Sequence, residues 1–109
     1  MPHLRFRGVS EPQLLAISRD LVTDLAALIT SARDNFTLEL VNSPFIFDGQ
    51  RQQVDPMVEV LWFARSQDVQ DGCAQAITRH LQAAGETRDI DVFFVAATPS
   101  AYYCNGVHY

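Results

Sequence analysis

Lysine is absent from these 109 residues, and all eight bases are arginine. A phosphate-binding P-loop, a lysine Schiff base and a lysine general base are thereby excluded. The only amine able to be neutral near pH 7 is the one at the N-terminus. Cysteine is scarce as well. Cys73 and Cys104 lie far apart without paired-ligand spacing, so they read as reduced thiols rather than a disulfide framework or a zinc site. His3, His80 and His108 are too scattered to form a metal cluster, and neither a metal nor a cofactor is expected. No apolar run reaches the length of a membrane span, and the polar opening Pro2-His3-Leu4-Arg5 lacks the apolar core of a signal peptide. Basic charge is in deficit: 13 acids against eight bases leave a net −5. That balance argues against nucleic acid or an acidic membrane as a partner. These absences predict a cytoplasmic protein.

What is present is an ordinary globular mixture, 48% apolar and 19% charged. The length suits a single domain over residues 1–109. His3, Arg5 and Arg7 alternate with Leu4 and Phe6, the period of a short strand over His3 to Val9. Ser10 and Gln13 have the spacing of a capping box, with Pro12 in the first turn. The stripe Leu14, Ile17, Leu21, Leu25, Leu28, Ala32 then predicts an amphipathic helix over 11–32. Phe36 to Val41 reads as a second strand. Residues 44–53, with Asp48-Gly49, read as a loop or short hairpin. Val54 to Arg65 is a third strand, in which Pro56 suggests an edge position or a late entry into the sheet. Asp68 to Ala84 is a second helix, stopped by Gly85. Ile90 to Thr98 is a fourth strand, and an aromatic tail follows Pro99.

The order is two β-α-β units. Leu4-Arg5-Phe6 echoes Leu61-Trp62-Phe63, and Ala16-Ile17-Ser18-Arg19 echoes Ala76-Ile77-Thr78-Arg79. Right-handed crossovers put both helices on one face of a four-stranded mixed sheet, an α+β fold. The other face, carrying Trp62 or Phe63 together with Val95, is left apolar and uncovered, which predicts an oligomer.

Pro2 is the sharpest chemical signal. Removal of Met1 exposes a secondary amine whose starting pKa lies above the roughly 8 of an ordinary α-amine. Burial and nearby arginines lower it toward neutrality, where it can work as a general base. A retained Met1 would instead make this nitrogen an amide with no basicity.

Three stretches resemble the tautomerase superfamily, which includes macrophage migration inhibitory factor, and more closely a bacterial branch of it. They are Pro2 to Arg7, Pro56-Met57-Val58-Glu59-Val60-Leu61-Trp62-Phe63 through Asp71, and Tyr102-Tyr103-Cys104-Asn105-Gly106-Val107-His108-Tyr109. The resemblance implies a ring-shaped homotrimer with Pro2 at the base of a pocket between subunits. It implies proton transfer between enol and keto forms of a small 2-oxo carboxylic acid. In other members the proline stays cationic and a carboxylate directs water. The absence of lysine and of an arginine pair in the second half departs from the pattern, and leaves open a trimeric binding or scaffold protein without chemistry.

Arg5 and Arg7 share one side of the first strand and can hold a substrate carboxylate or pair across strands with Glu39 or Glu59. Arg65 is a third candidate for the carboxylate, or an exposed strand-end charge. Glu39 stands either as the water-directing group of a hydratase or dehalogenase or as an arginine's partner; Glu59 reads as structural. Under the resemblance Tyr102, Tyr103 and Asn105 line a neighbouring subunit's pocket, with a tyrosine hydroxyl polarising a carbonyl or a ring simply packed at an interface. Trp62 reads as core or interface, Cys73 as helix core and His108 as exposed. Cys104 is reactive only if exposed, and His3 should point away from Pro2.

Overall fold

A computed structural model describes the whole chain, residues 1–109. Chain order runs β1 (His3–Arg7), α1 (Glu11–Ile29), β2 (Thr37–Leu40), a hairpin of β3 (Phe45–Phe47) and β4 (Gln50–Gln52), β5 (Met57–Trp62), α2 (Gln67–Ala83), β6 (Asp91–Ala96), and a last hairpin of β7 (Tyr103–Cys104) and β8 (Val107–His108). No helix is long and apolar enough to cross a membrane.

The capping box forms as the sequence predicts. Gln13 N–H donates to Ser10 Oγ at 3.2 Å, and Ser10 N–H donates to Gln13 Oε1 at 3.0 Å. Pro12 has no N–H to satisfy, so two of the three orphan donors of the first turn are thereby paired. Leu14, Ile17, Leu21 and Leu25 are buried, and Ile29 completes their stripe. Leu28, placed in the stripe by spacing, is 39% exposed and lies over Gly72 of α2. The helix stops short of Ala32. Thr30 turns into the left-handed conformation at φ 54° and gives its N–H to the Ala26 carbonyl. Apolar spacing carries no sign of this stop, because the terminating residue is a β-branched threonine rather than a glycine. Across the helix pair, His80 Nε2 lies 2.6 Å from Asp24 Oδ2.

The four long strands make one mixed sheet in the order β2-β1-β5-β6. The outer pairs β1·β2 and β5·β6 are parallel; the central pair β1·β5 is antiparallel, with His3 opposite Leu61 and Arg7 opposite Met57. Of the two readings of Pro56, the edge position is corrected and the late entry holds: β5 is a central strand that begins only at Met57. The proline sits immediately before it, buried, and needs no ladder hydrogen bond there. Pro2 stands in the same position before β1. Each proline gives its carbonyl to the first N–H of the adjacent parallel strand, Pro2 to Thr37 at 3.2 Å and Pro56 to Asp91 at 2.9 Å. The echo read from the sequence is therefore out of register: Leu4 corresponds to Val58, not Leu61.

Strand alternation sorts the side chains. Leu4, Phe6, Val58, Val60 and Trp62 turn toward the helices and join Leu21, Leu25, Cys73, Ile77 and Leu81 in the core. Trp62 belongs wholly to that face, its ring 4.7 Å from Phe94. The opposite face carries His3, Arg5, Arg7, Glu39, Glu59 and Leu61, with Phe93 and Val95 about two-fifths exposed.

Gly8 ends β1 at φ +71°, and a Cβ there would lie 2.8 Å from the Asp55 carbonyl oxygen. Only glycine fits so close an approach in that conformation. Beside it, Glu86 is 4% exposed at its side chain. Arg88 Nε donates to Glu86 Oε1 at 2.7 Å, and Gln13 Nε2 donates to Oε2 at 3.0 Å. Arg88 also reaches the carbonyls of Gly8 at 2.8 Å and Val54 at 3.0 Å. The arginine bond, aided by Gln13 and opposed by burial, holds the Glu86 carboxyl at about 2, well below its ordinary 4.5.

Candidate functional site

Pro2 lies at the end of the sheet opposite Gly8. Its ring is buried with Leu4, Leu25, Ile29, Phe36, Trp62 and Cys73 around a crevice of about 10 Å³, no larger than one water. In the chain with Met1 in place the Pro2 nitrogen is an amide; burial lowers the pKa of the Met1 amine.

His3 follows on the opposite face. Its ring bridges two hydroxyls: Nδ1 is hydrogen-bonded to Thr37 Oγ1, and Nε2 lies 2.7 Å from Tyr102 Oη. Burial first, then the chain's amine and Arg5, push the His3 imidazole below its ordinary value of 6.5. Tyr102 is itself held edge-on by Phe63 at 5.6 Å and Tyr109 at 5.2 Å, and its carbonyl accepts the Tyr109 N–H at 3.0 Å. Sequence reasoning set His3 aside because its side chain alternates away from Pro2. The link to Tyr102 spans 99 positions, and no local pattern reports it.

The remaining candidates separate into three groups. Arg5 and Arg7 are engaged along the open face: Arg5 Nε donates to Glu39 Oε1 at 3.0 Å, and Arg7 Nη1 donates to Glu59 Oε1 at 3.1 Å. A longer 4.0 Å contact from Arg5 to Glu59 links the two pairs. Arg65 stands apart from these pairs. Exposed just beyond β5, at the Pro2 end, it donates to the Phe63 carbonyl at 2.6 Å and makes no carboxylate contact. Its charge reaches the crevice, where it lowers the Cys73 pKa, although burial dominates and raises that thiol to about 11. Cys73 is therefore an unreactive thiol at neutral pH.

Tyr103 and Asn105 lie farther out, where the aromatic tail after Pro99 folds into the β7–β8 hairpin. Asn105 at φ 53° and Gly106 at φ 80° make its turn, the Asn-Gly signature of a two-residue hairpin loop. Tyr103 packs edge-on to His108 at 6.0 Å. Asn105 and Tyr103 are exposed, and so is Cys104.

The largest cavity, about 300 Å³, lies elsewhere, between α1 and β2 and lined by Glu11, Leu14, Leu15, Ser18, Leu38 and Leu40. It contains none of the candidates. This groove offers one acid and one hydroxyl among aliphatic side chains, with no cation or amine to meet an anionic ligand. No three His, Cys, Asp or Glu side chains are grouped so as to hold a metal ion.

A solved structure of a domain of unknown function from Sebaldella termitidis is 29% identical, covers 100% of both chains and superposes with a TM-score of 0.92. A protein of unknown function from Vibrio cholerae is 40% identical over 99% of this chain and 87% of that one, with a TM-score of 0.87. More remotely, a macrophage migration inhibitory factor-like protein from Entamoeba histolytica shares 15% identity over 99% and 98% of the two chains, with a TM-score of 0.69. The last likeness establishes the fold alone: two helices against the β2-β1-β5-β6 sheet, as in the tautomerase superfamily. No curated protein matches the chain. The family model described as "Domain of unknown function (DUF1904)" matches residues 1–108, and the chain belongs to that family.

Proposed function

We propose that the protein is a tautomerase-like enzyme that moves a proton on a small 2-oxo or enol carboxylic acid, with Pro2 as the working amine after removal of Met1. The observation that carries this reading is the grouping at one end of the sheet: Pro2, the hydroxyl of Tyr102 and the acid-free guanidinium of Arg65. Arg65, rather than Arg5 or Arg7, holds the substrate carboxylate, because the other two are already neutralised by Glu39 and Glu59. Glu39 serves Arg5 in this reading and directs no water.

The crevice at Pro2 is too small for a substrate, so the pocket is completed by a neighbouring copy. The half-exposed Phe93 and Val95 on the uncovered sheet face favour such an assembly. A fused 4-OT of the same fold, 10% identical over 97% and 94% of the chains with a TM-score of 0.81, is described as an asymmetric trimer. We extend that state to this chain as a homotrimer in the cytoplasm, one domain per subunit.

Intact mass of untagged protein comes first, since only loss of Met1 frees the amine. Ketonisation of phenylenolpyruvate should then fall by about a hundredfold or more in Pro2→Ala. Turnover unchanged in that variant would end the reading. A second reading, a trimer that binds without catalysing, applies if Met1 is retained, because the Pro2 nitrogen is then an amide with no basicity. Quantitative retention of Met1 would make it the better account.

A further inference from the structure

His3 is the one group at this end that the proposed chemistry has not used, and it stands between two hydroxyls. A neutral imidazole has one donor and one acceptor nitrogen, whereas a hydroxyl can do either. The series Thr37–His3–Tyr102 therefore has two complete arrangements. In one, Tyr102 O–H donates to Nε2 and Nδ1–H donates to Thr37 Oγ1, leaving the phenol oxygen free to accept. In the other, Thr37 O–H donates to Nδ1 and Nε2–H donates to Tyr102 Oη, leaving the phenol proton free to be given away.

We infer that His3 is a positioning residue behind Tyr102, and that this series carries the oxygen-side proton of a keto–enol conversion while Pro2 carries the carbon-side proton. The inference rests on the tautomerase-like reading above. In the ketonising direction the enol O–H proton passes to Tyr102 Oη, the phenol proton to His3 Nε2, and the Nδ1 proton to Thr37 Oγ1. Thr37 is exposed and releases its own proton to water. At the same time the Pro2 ammonium protonates the carbon, using the electron pair of the C=C bond, and the C–O bond becomes a carbonyl. Pro2 then recovers a proton from water. Nothing is oxidised or reduced, and one proton enters for the one that leaves.

Three observations support the assignment. Both ring nitrogens are engaged by hydroxyls. No carboxylate contacts the imidazole to hold it as a cation, since Glu39 and Glu59 on the same face are tied to Arg5 and Arg7. Burial and Arg5 disfavour imidazolium, and the relay needs the neutral ring.

The test uses protein shown by mass to lack Met1. It measures phenylenolpyruvate ketonisation together with labelling of Pro2 by 2-oxo-3-pentynoate, a compound that inactivates Pt0534, a protein of this fold 11% identical to this one. His3→Gln should lower kcat by about a hundredfold while Pro2 labelling persists. Tyr102→Phe should lower it similarly, and the double variant should be no slower than the slower single one, since the two act in series. Wild-type kcat should also fall on the acid side as the imidazole gains its proton, and His3→Gln should lack that limb. The groups that set this limb are the chain's amine and Arg5 on β1, Glu39 on β2, Glu59 on β5, and Tyr102 from the tail. Wild-type turnover with His3→Gln at full kcat overturns the inference alone, as do multiplicative losses in the double variant. A wild type that is neither labelled nor active overturns the tautomerase reading and the inference together.

Discussion

The two ends of the sheet differ in how far their polar groups are committed. At the Gly8 end, Glu86 accepts from Arg88 and Gln13, and Arg88 spends its other N–H groups on the Gly8 and Val54 carbonyls. Apart from the Glu86–Arg88 pair, two residues apart, these contacts join distant parts of the chain. At the Pro2 end, His3, Thr37 and Tyr102 form a series whose direction is reversible, and Arg65 carries a cation with no acid beside it. A fully committed polar cluster serves stability. One with spare donors and acceptors can still meet a ligand.

The sharpest way to break this contrast is to cut the committed end. Arg88→Ala removes the main partner of a buried carboxylate and should destabilise the fold by about 3 kcal/mol, read as a shift in the urea midpoint. A change below about 0.5 kcal/mol, the range of ordinary surface substitutions, would show that the end is not locked.

A milder perturbation uses acid. Because Glu86 sits at about 2 in the folded chain against an ordinary 4.5, its contribution is complete above pH 4.5. It is lost as pH falls through that window toward 2. Melting temperature of the wild type should drop over that window, and the slope should flatten in Glu86→Gln; equal slopes would assign the acid sensitivity to other carboxylates.

The smallest effect belongs to the uncommitted end. Tyr102→Phe removes a hydroxyl from a half-buried, hydroxyl-rich setting and should cost less than about 1 kcal/mol. A loss near that of Arg88→Ala would erase the distinction between the ends.

The committed end was the less legible of the two. Gly85-Glu86-Thr87-Arg88 reads as polar loop, and nothing local marks Glu86 for burial or joins it to Gln13, 73 positions away. By contrast, Ser10 with Gln13, and Leu14 through Leu25 at helical spacing, announce their own roles because partners within one or two turns decide them. Arg5 and Arg7 show the intermediate case. Alternation put them on one side of the first strand and named Glu39 and Glu59 as partners, but choosing between substrate and ion pair required the register of β1 against β2 and β5. For Tyr103 and Asn105 the local signal is the Asn105-Gly106 pair itself, whose positive φ angles set the turn that organises them.

The matched carbonyl bonds of Pro2 and Pro56 have an architectural consequence. They relate the two halves of the chain by an approximate dyad through the β1·β5 seam, so that the two sheet ends occupy equivalent places in the β2-β1-β5-β6 sheet. Pro56 is the counterpart of the candidate amine, but its nitrogen is locked in a mid-chain peptide bond, and its neighbourhood is sealed by Arg88. The two seats therefore differ in connectivity: removal of a single residue opens one, whereas the other stays closed within the chain and is held by Arg88.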